Sequence, residues 1–281
     1  MSKAVYEIIT GRIIEELKKG VRPWVKPWKP GFEAMNWVSG RAYRGINVLL
    51  TEPGGEYATL KQVKDAGGRV KPEEFKNYAV LVFYKDYEKE NEDGETERFP
   101  VLRYYKVYDI NKQCTGLVSK RKPVESTQHL DPIEAAEQLV RDFADAPDIT
   151  FQSSGAVYNS RFDRVSVPPL ADYNCAEEYY CTLYHELIHS TGHKDRLNRK
   201  FGARFGDEQY SKEELVAEIG AAMLCGVAGI EQPVLENSAA YIAGWIQALK
   251  KDSRLIVTAA ATAQKAADYV QNIKTPKRQV S

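Results

Sequence analysis

Three of the four histidines in this chain lie within nine residues, from His185 to His193, in the stretch YHELIHSTGH. The stretch contains the spacing H-E-x-x-H, in which His185 and His189 are four residues apart and Glu186 follows the first histidine. This spacing requires a helix, because residues four apart then lie on one face and both imidazoles can bind one ion. Glu186 can reach a water on that ion and act as a general base. The alternative is a histidine pair that binds nothing.

A zinc site of this type needs a third protein ligand and an open position for water. Our preferred ligand is Glu214, in a helix predicted to begin at the N-cap Ser211. Glu218 lies one turn later, and we expect it to orient a ligand histidine, although the roles of the two glutamates are interchangeable. Asp195 completes the longer pattern H-E-x-x-H-x-x-G-x-x-D and is a further candidate. Without a metal, Glu214 would belong to a partly exposed capping box.

Two histidines and a carboxylate suit one divalent metal ion. Zinc is the first expectation, and manganese or another divalent ion is the alternative. A closed structural site has no use for a carboxylate beside its first histidine, so Glu186 favours an enzyme-like centre. The motif therefore predicts a zinc-dependent metallopeptidase.

The first fifty residues combine tryptophans with a basic excess, since they contain nine Lys/Arg and four Asp/Glu in a chain of zero net charge. Proteins hold single-stranded DNA by stacking aromatic rings on bases while Lys and Arg contact phosphates. The candidate DNA contacts are Trp24, Lys26, Trp28, Trp37, Arg41, Tyr43, Arg44 and Asn47. The alternative is a Pro/Trp-rich arm that packs over a small core.

The hydrophobic pattern predicts an α+β fold in two domains. A four-residue apolar period indicates a helix over residues 5–17, and buried strands are expected at 79–85 and 103–110 with a charged loop between them. We expect an α+β domain that binds single-stranded DNA at residues 1–125 and a polar linker at 126–132. A mainly helical, metallopeptidase-like domain with a small sheet is expected at 133–281.

The composition is that of a soluble globular protein, with 281 residues of which 43% are hydrophobic and 28% charged. No run of the sequence approaches the roughly 18 apolar residues of a membrane span, and no secretory signal is visible. The four cysteines lack C-x-x-C spacing, which indicates reduced thiols. We therefore expect a cytoplasmic protein without a membrane partner.

Several longer motifs are more specific than H-E-x-x-H. They are RPWVKPW, TLKQVKDAGGRVKPEE, YAVLVFYK, VYDINKQC, YHELIHSTGHKDRLNR, EELVAEIGAAML and WIQALKKDSRLIVTAAATAQKAADYV. Through these motifs nearly the whole chain resembles the ArdC-type antirestriction proteins of conjugative plasmids. Its N-terminal half also resembles the N-terminal region of TraC-type plasmid primases. An unusually acidic stretch at residues 88–98 is the main departure.

The resemblance implies an N-terminal domain that binds single-stranded DNA without marked sequence preference and a C-terminal zincin-like metalloprotease fold. It implies a role in protecting incoming plasmid DNA from host restriction during conjugation, with the host restriction machinery or another protein as a further partner. The metal motif carries over onto His185, Glu186, His189 and the helix with Glu214 and Glu218. Two alternatives remain: a metallopeptidase whose N-terminal domain recruits protein substrate, and a DNA-binding protein whose metal is purely structural.

Overall fold

The computed structural model is a mixed α and β protein, which confirms the predicted fold class. It describes residues 2–25, 33–90, 96–121, 132–152, 155–201, 208–230 and 238–274. The helices are α1 (Ser2–Lys18), α2 (Ile46–Leu49), α3 (Leu60–Asp65), α4 (Ile110–Gln113), α5 (Pro132–Asp142), α6 (Ala176–Ser190), α7 (Glu208–Ala228), α8 (Ser238–Lys251) and α9 (Leu255–Val270). The strands are β1 (Met35–Asn36), β2 (Glu56–Thr59), β3 (Arg69–Val70), β4 (Ala79–Glu90), β5 (Thr96–Asp109), β6 (Cys114–Thr115), β7 (Asp148–Phe151), β8 (Val157–Asn159) and β9 (Arg164–Val167).

The N-terminal half contains a four-stranded sheet in the order β1-β2-β5-β4. β1 runs parallel to β2, and the other neighbours are antiparallel. The two strands predicted at 79–85 and 103–110 are confirmed, but both continue into the charged stretch that we predicted to be a loop. The register there places Glu88 opposite Arg98. The described parts of the charged stretch therefore belong to a long antiparallel strand pair.

Helix α1 joins the two halves of the chain in one hydrophobic core. Its residues Ile9, Ile13 and Leu17 are almost fully buried, as the four-residue period predicted. They belong to a cluster that also contains sheet residues such as Val82 and residues of the C-terminal helices α6 to α9. In addition, the Thr10 hydroxyl donates a hydrogen bond to the carbonyl of Ser253, at 2.6 Å.

The boundary between the two proposed domains stays a prediction. Most of the proposed linker, 126–132, falls within residues 122–131, which lie outside the described residues. What the structure adds is that the halves on either side of this linker pack on each other through the shared core.

The C-terminal half places two helices against each other at close range. Its three-stranded sheet has the order β7-β9-β8, and α6 packs against this sheet and against α7. Gly220 of α7 faces Ile188 of α6, and a Cβ at position 220 would lie 2.8 Å from Ile188 Cδ1. Glycine at 220 therefore permits the close approach of α6 and α7, which carry the candidate metal ligands.

Helix α7 begins at Glu208, so Ser211 lies within the helix and is not its N-cap, contrary to our prediction. None of the four cysteines, all of which the structure describes, forms a disulfide; Cys114 and Cys225 are buried and Cys175 is exposed. Cys181 and Cys225 are neighbours between α6 and α7 with a sulfur–sulfur distance of 3.0 Å. Among the helices of the described ranges, none is both long and apolar enough to span a membrane.

Candidate metal centre

Helices α6 and α7 bring together His185, His189 and Glu214. The two imidazoles lie one turn apart on α6, and their Nε2 atoms are 3.1 Å apart. The Glu214 carboxylate approaches both rings, with Oε2 at 3.5 Å from His185 Nε2 and Oε1 at 3.3 Å from His189 Nε2. Within the described residues, these three side chains form a group whose potential ligand atoms all lie within 4.8 Å of one another.

These distances suit a tetrahedral metal ion. Zn²⁺ is bound at about 2.0–2.1 Å by histidine and carboxylate ligands, and a tetrahedron with such bonds has edges of about 3.3–3.4 Å. The two Nε2 atoms are 3.1 Å apart, which is near this edge length, and each has one oxygen of Glu214 nearby, a different oxygen for each ring, at 3.5 Å from His185 and 3.3 Å from His189. The preferred trio of ligands is therefore compatible with a shared ion.

The opposite ring nitrogen of each histidine faces a different glutamate of α7. His189 Nδ1 lies 3.3 Å from Glu213 Oε1, and His185 Nδ1 lies 3.9 Å from Glu218 Oε1. A carboxylate beside Nδ1 favours a proton on that nitrogen and leaves the Nε2 lone pair available to a metal. Glu218 thus lies where the sequence prediction placed it, but sequence reasoning missed Glu213.

Glu213 is itself fixed by Arg199. The guanidinium donates to both carboxylate oxygens, from Nη2 to Oε1 at 2.6 Å and from Nε to Oε2 at 3.1 Å. It also donates to the hydroxyl of Thr191 and to the carbonyl of Ile188 at the end of α6. Arg199 therefore ties the C-terminal end of α6 to α7 at the ligand His189.

Glu218 has an arginine partner as well, and this one comes from the N-terminal half. Arg22 Nη1 lies 3.5 Å from Glu218 Oε2, and the side chains of both residues are largely buried. Each histidine of the pair thus has a glutamate beside its Nδ1 atom, and each of these glutamates contacts an arginine.

The electrostatics of the cluster favour a cation. Burial opposes protonation of His189, but its hydrogen bonds to Glu213 and Glu214 outweigh burial and raise its pKa to about 9. Burial would raise the pKa of Glu214, but hydrogen bonds from the two histidines hold that pKa well below its usual range. The pKa of Glu213 is lowered against burial in the same way, by His189 and Arg199. The field that favours a proton on His189 also favours a divalent metal ion.

A charge count supports this conclusion. Four carboxylates lie at the histidine pair and two arginines compensate two of them, so that a divalent cation would balance the remainder. The four are Glu186, Glu213, Glu214 and Glu218. Buried charges are costly unless they are paired or bind a metal, so the donor set fits a divalent ion.

The candidate general base Glu186 is buried on α6, with 8% of its surface exposed. It directly follows the ligand His185 on the helix, and its charge helps to raise the pKa of His189. Asp195 does not lie in the cluster: its side chain is 74% exposed and lies 3.5 Å from His193 Nδ1. The alternative third ligand is therefore not brought to the histidine pair, whereas Glu214 is.

The structure places the predicted DNA contacts less favourably, and two of them require correction. Trp24 is 1% exposed and packs edge-on against Trp245 of α8, at 5.2 Å between ring centroids. Trp37 is 6% exposed, and its indole donates to the carbonyl of Val118. Neither ring offers a free face to a base, because each is part of the packing. Lys26 and Trp28 lie outside the described residues.

The other predicted DNA contacts differ in their exposure and in the partners that they already have. Arg41 is exposed, whereas Arg44 pairs with Asp268 of α9. Tyr43 is half-buried, and burial raises its pKa to about 12. The Asn47 amide bonds to both backbone groups of Val82, where it covers the outer edge of β4. Of the predicted contacts that are described, Arg41 and Arg44 are the exposed ones.

Comparison with known proteins agrees with this architecture. Residues 3–108 match the N-terminal domain of the anti-restriction factor ArdC, and residues 134–262 match a zincin-like metallopeptidase. Crystal structures of the antirestriction protein ArdC from plasmid R388, one metal-free and one Mn(II)-bound, are 35% identical to this chain. Each match covers 95% of this chain and 97% of the ArdC chain, with TM-scores of 0.75 and 0.74.

The chain belongs to the ArdC family of antirestriction proteins. The resemblance predicted from the sequence motifs is thereby confirmed. DNA primase TraC of Escherichia coli is also similar, at 32% identity over 96% of this ArdC-family chain. The chain spans 27% of the primase's length, so the likeness concerns about a quarter of that protein.

Proposed function

We propose that this ArdC-family protein binds single-stranded DNA, protects incoming plasmid DNA from host restriction during conjugation, and carries a metal-dependent peptidase-type centre. The observation that carries the proposal is the convergence of His185, His189 and Glu214 beside the buried Glu186. The family match supports the antirestriction role, and the TraC likeness supports a DNA partner. We propose that the protein acts in the cytoplasm, with the host restriction machinery as a further partner.

In this proposal the two histidine Nε2 atoms and the Glu214 carboxylate hold one divalent ion. Zinc suits this donor set, and the Mn(II)-bound relative makes manganese the alternative. When bound, such an ion lowers the pKa of a water molecule and polarises a carbonyl group. Glu186 would then be the residue that accepts a proton from water, and Glu213 and Glu218 would keep the two imidazoles oriented.

Replacing Glu186 with glutamine should preserve metal binding and remove any chemistry at the centre. The amide is close in size to the carboxylate but cannot accept a proton, and Glu186 is not among the three ligands. We expect metal content to stay near that of the wild type while antirestriction in recipient cells falls at least tenfold, since proton transfer typically contributes 10²–10⁴-fold to rate. Transfer of an unmethylated plasmid into a restricting host measures this.

Two outcomes would change the proposal. Full antirestriction by Glu186→Gln would mean that the metal has a structural role and that protection depends on binding alone. Loss of bound metal in the same variant would place Glu186 among the ligands. Glu177→Gln, on the first turn of the same helix, is the matched control and should behave as the wild type.

We place the DNA-stacking surface on β4 and β5, because Trp24 and Trp37 are packed. Phe83 and Tyr105 form a stacked ring pair on this sheet, with centroids 4.4 Å apart and planes at 16°. Tyr105 is 46% exposed, and the exposed Arg103 lies opposite Phe83 in the register. A stacked aromatic pair beside an arginine suits an unpaired base and its phosphate.

Tyr105→Ala should weaken binding of a single-stranded oligonucleotide by about 1–3 kcal/mol, which is the usual value of one base–aromatic stack. Arg103→Gln should instead lower the salt dependence of binding by about one phosphate contact. Fluorescence anisotropy at several salt concentrations measures both effects. Phe162→Ala removes a ring that is 64% exposed in the C-terminal half and should leave binding unchanged. If the wild type binds but Tyr105→Ala matches Phe162→Ala, the bases stack elsewhere; if the wild type does not bind, the single-strand proposal is wrong.

A further inference from the structure

We propose that Arg22 is a positioning residue of the metal centre, so that the N-terminal half completes a site whose ligands all belong to the C-terminal half. The inference rests on the proposed metal centre. It starts from a chain of contacts between the two halves, in which Arg22 contacts Glu218 and Glu218 faces the Nδ1 atom of His185.

The backbone around Arg22 holds its guanidinium at a defined point. Helix α1 ends at Lys18, and the chain turns at Gly20, whose φ of 79° suits glycine. The amides of Gly20 and Val21 donate back to carbonyls of the last helical turn. Trp24 then anchors the segment in the core against Trp245. Because the chain is fixed on both sides, the Arg22 side chain, which is 9% exposed, has little freedom to leave Glu218.

The second histidine shows the same arrangement in a tighter form. Arg199 holds Glu213 with two hydrogen bonds, and Glu213 faces His189 Nδ1. In both cases an arginine contacts a carboxylate of α7, and that carboxylate faces the Nδ1 atom of a ligand histidine, the position from which a carboxylate orients the ring. Arg199 lies in the loop after α6, whereas Arg22 lies more than 150 residues before the motif. The comparison assigns Arg22 the same task for His185 that Arg199 has for His189.

A positioning role and a purely electrostatic role of Arg22 predict opposite changes in metal affinity when Arg22 is replaced. Arg22 is a cation close to a cation site, so its charge alone repels a metal ion, and its removal would tighten metal binding. If Arg22 acts by holding Glu218 and His185, its removal weakens metal binding. The direction of the change in affinity therefore decides between the two.

The experiment is calorimetric titration of the full-length, metal-free protein with Mn²⁺ and with Zn²⁺. Arg22→Gln should raise the dissociation constant about tenfold to a hundredfold, which is the usual effect of losing a group that orients a metal ligand. Arg22→Lys keeps the charge but lacks the planar guanidinium, and its dissociation constant for metal should lie between those of the wild type and Arg22→Gln. Arg12→Gln, on α1, whose guanidinium donates to the carbonyl of Tyr78 and not to a glutamate of the cluster, is the matched control. In a Glu218→Gln background, Arg22→Gln should have almost no further effect, because the group it acts through is gone.

Nitrogen-15 NMR of the histidines supplies a second measurement. The chain has four histidines, so the signals of His185 can be assigned by substitution. In the Zn²⁺-loaded wild type, His185 should show one tautomer with its proton on Nδ1, and Arg22→Gln should broaden or mix this pattern while His189 is unchanged. Unfolding of each metal-free variant is recorded in parallel, so that a general loss of stability is recognised. If Arg22→Gln does not fold, the same titration is made with Arg22→Lys, alone and in the Glu218→Gln background.

Unchanged or tighter metal binding by folded Arg22→Gln, with a wild type that binds metal, overturns the role of Arg22 and leaves the metal centre intact. A wild type that binds neither ion overturns the proposed metal centre itself. Weaker binding in Arg22→Gln together with an equal further loss in the Glu218→Gln background also contradicts the inference, because Arg22 would then act independently of Glu218.

Discussion

His189→Ala should leave the purified protein unable to bind one equivalent of divalent metal, and a chelator should no longer lower its melting temperature. An ion that binds only the folded state stabilises it by mass action, by about 2.7 kcal/mol at a free concentration one hundred times the dissociation constant. For a chain of this size, this corresponds to a shift of about 5–10 °C in the melting temperature of the wild type. Elemental analysis after metal reconstitution and a thermal scan with and without chelator check both statements.

His193→Ala is the control for this prediction, because His193 belongs to the same short stretch but pairs with Asp195 away from the cluster. This variant should keep its metal and its response to chelator. Retention of one tightly bound equivalent by His189→Ala would show that the histidine pair is not the metal site. Equal metal loss in His193→Ala would bring His193 into the ligand set.

Glu213→Ala should destabilise the metal-free protein by about 3–5 kcal/mol, the usual cost of removing one partner from a buried ion pair. The side chains of Glu213 and Arg199 are 7% and 10% exposed, so the arginine would be left buried without its carboxylate. The same change should weaken metal binding about tenfold to a hundredfold, because His189 loses the group at Nδ1. Urea denaturation of the metal-free protein and metal titration measure the two effects separately.

A double variant separates the structural effect from the metal effect. Glu213→Leu with Arg199→Met removes both charges and should recover most of the stability, since apolar replacements of buried ion pairs are often neutral. Its metal affinity should stay low, because no carboxylate faces His189. Glu7→Ala, on the exposed face of α1, serves as the surface control. Wild-type metal affinity in the double variant would mean that Glu213 has a structural role only.

The sequence was informative about the metal centre because the helix has a fixed geometry. The four-residue spacing places His185 and His189 on one face, and the same spacing places Glu214 and Glu218 on one face of α7. Glu213 was missed because the prediction followed the i, i+4 pair Glu214 and Glu218, and a neighbouring residue on a helix points about 100° away from that face. Two adjacent glutamates can both contact the pair because their targets lie on opposite sides of the imidazole ring of His189.

The features that the sequence did not predict depend on contacts between residues that are far apart in the chain. A tryptophan among lysines and prolines has the pattern of a nucleic-acid contact, but the burial of Trp24 depends on Trp245, more than 200 residues later. The role of Arg199 likewise depends on how the loop after α6 returns towards α7. A fragment of residues 1–125 would expose the face of α1 that packs on α8, so we do not expect it to behave as an independent unit.

The contact between Gly220 and Ile188 bears on how an ion enters the protein. Because α6 packs closely against α7 at this contact, the spacing of the two helices that carry the ligand residues is set by the apolar core. Such preorganisation removes most of the conformational cost of loading, so ions can exchange without refolding the chain. In the proposed function, metal supply would then switch the chemistry of the centre on and off while the packing of α6 against α7 stays the same.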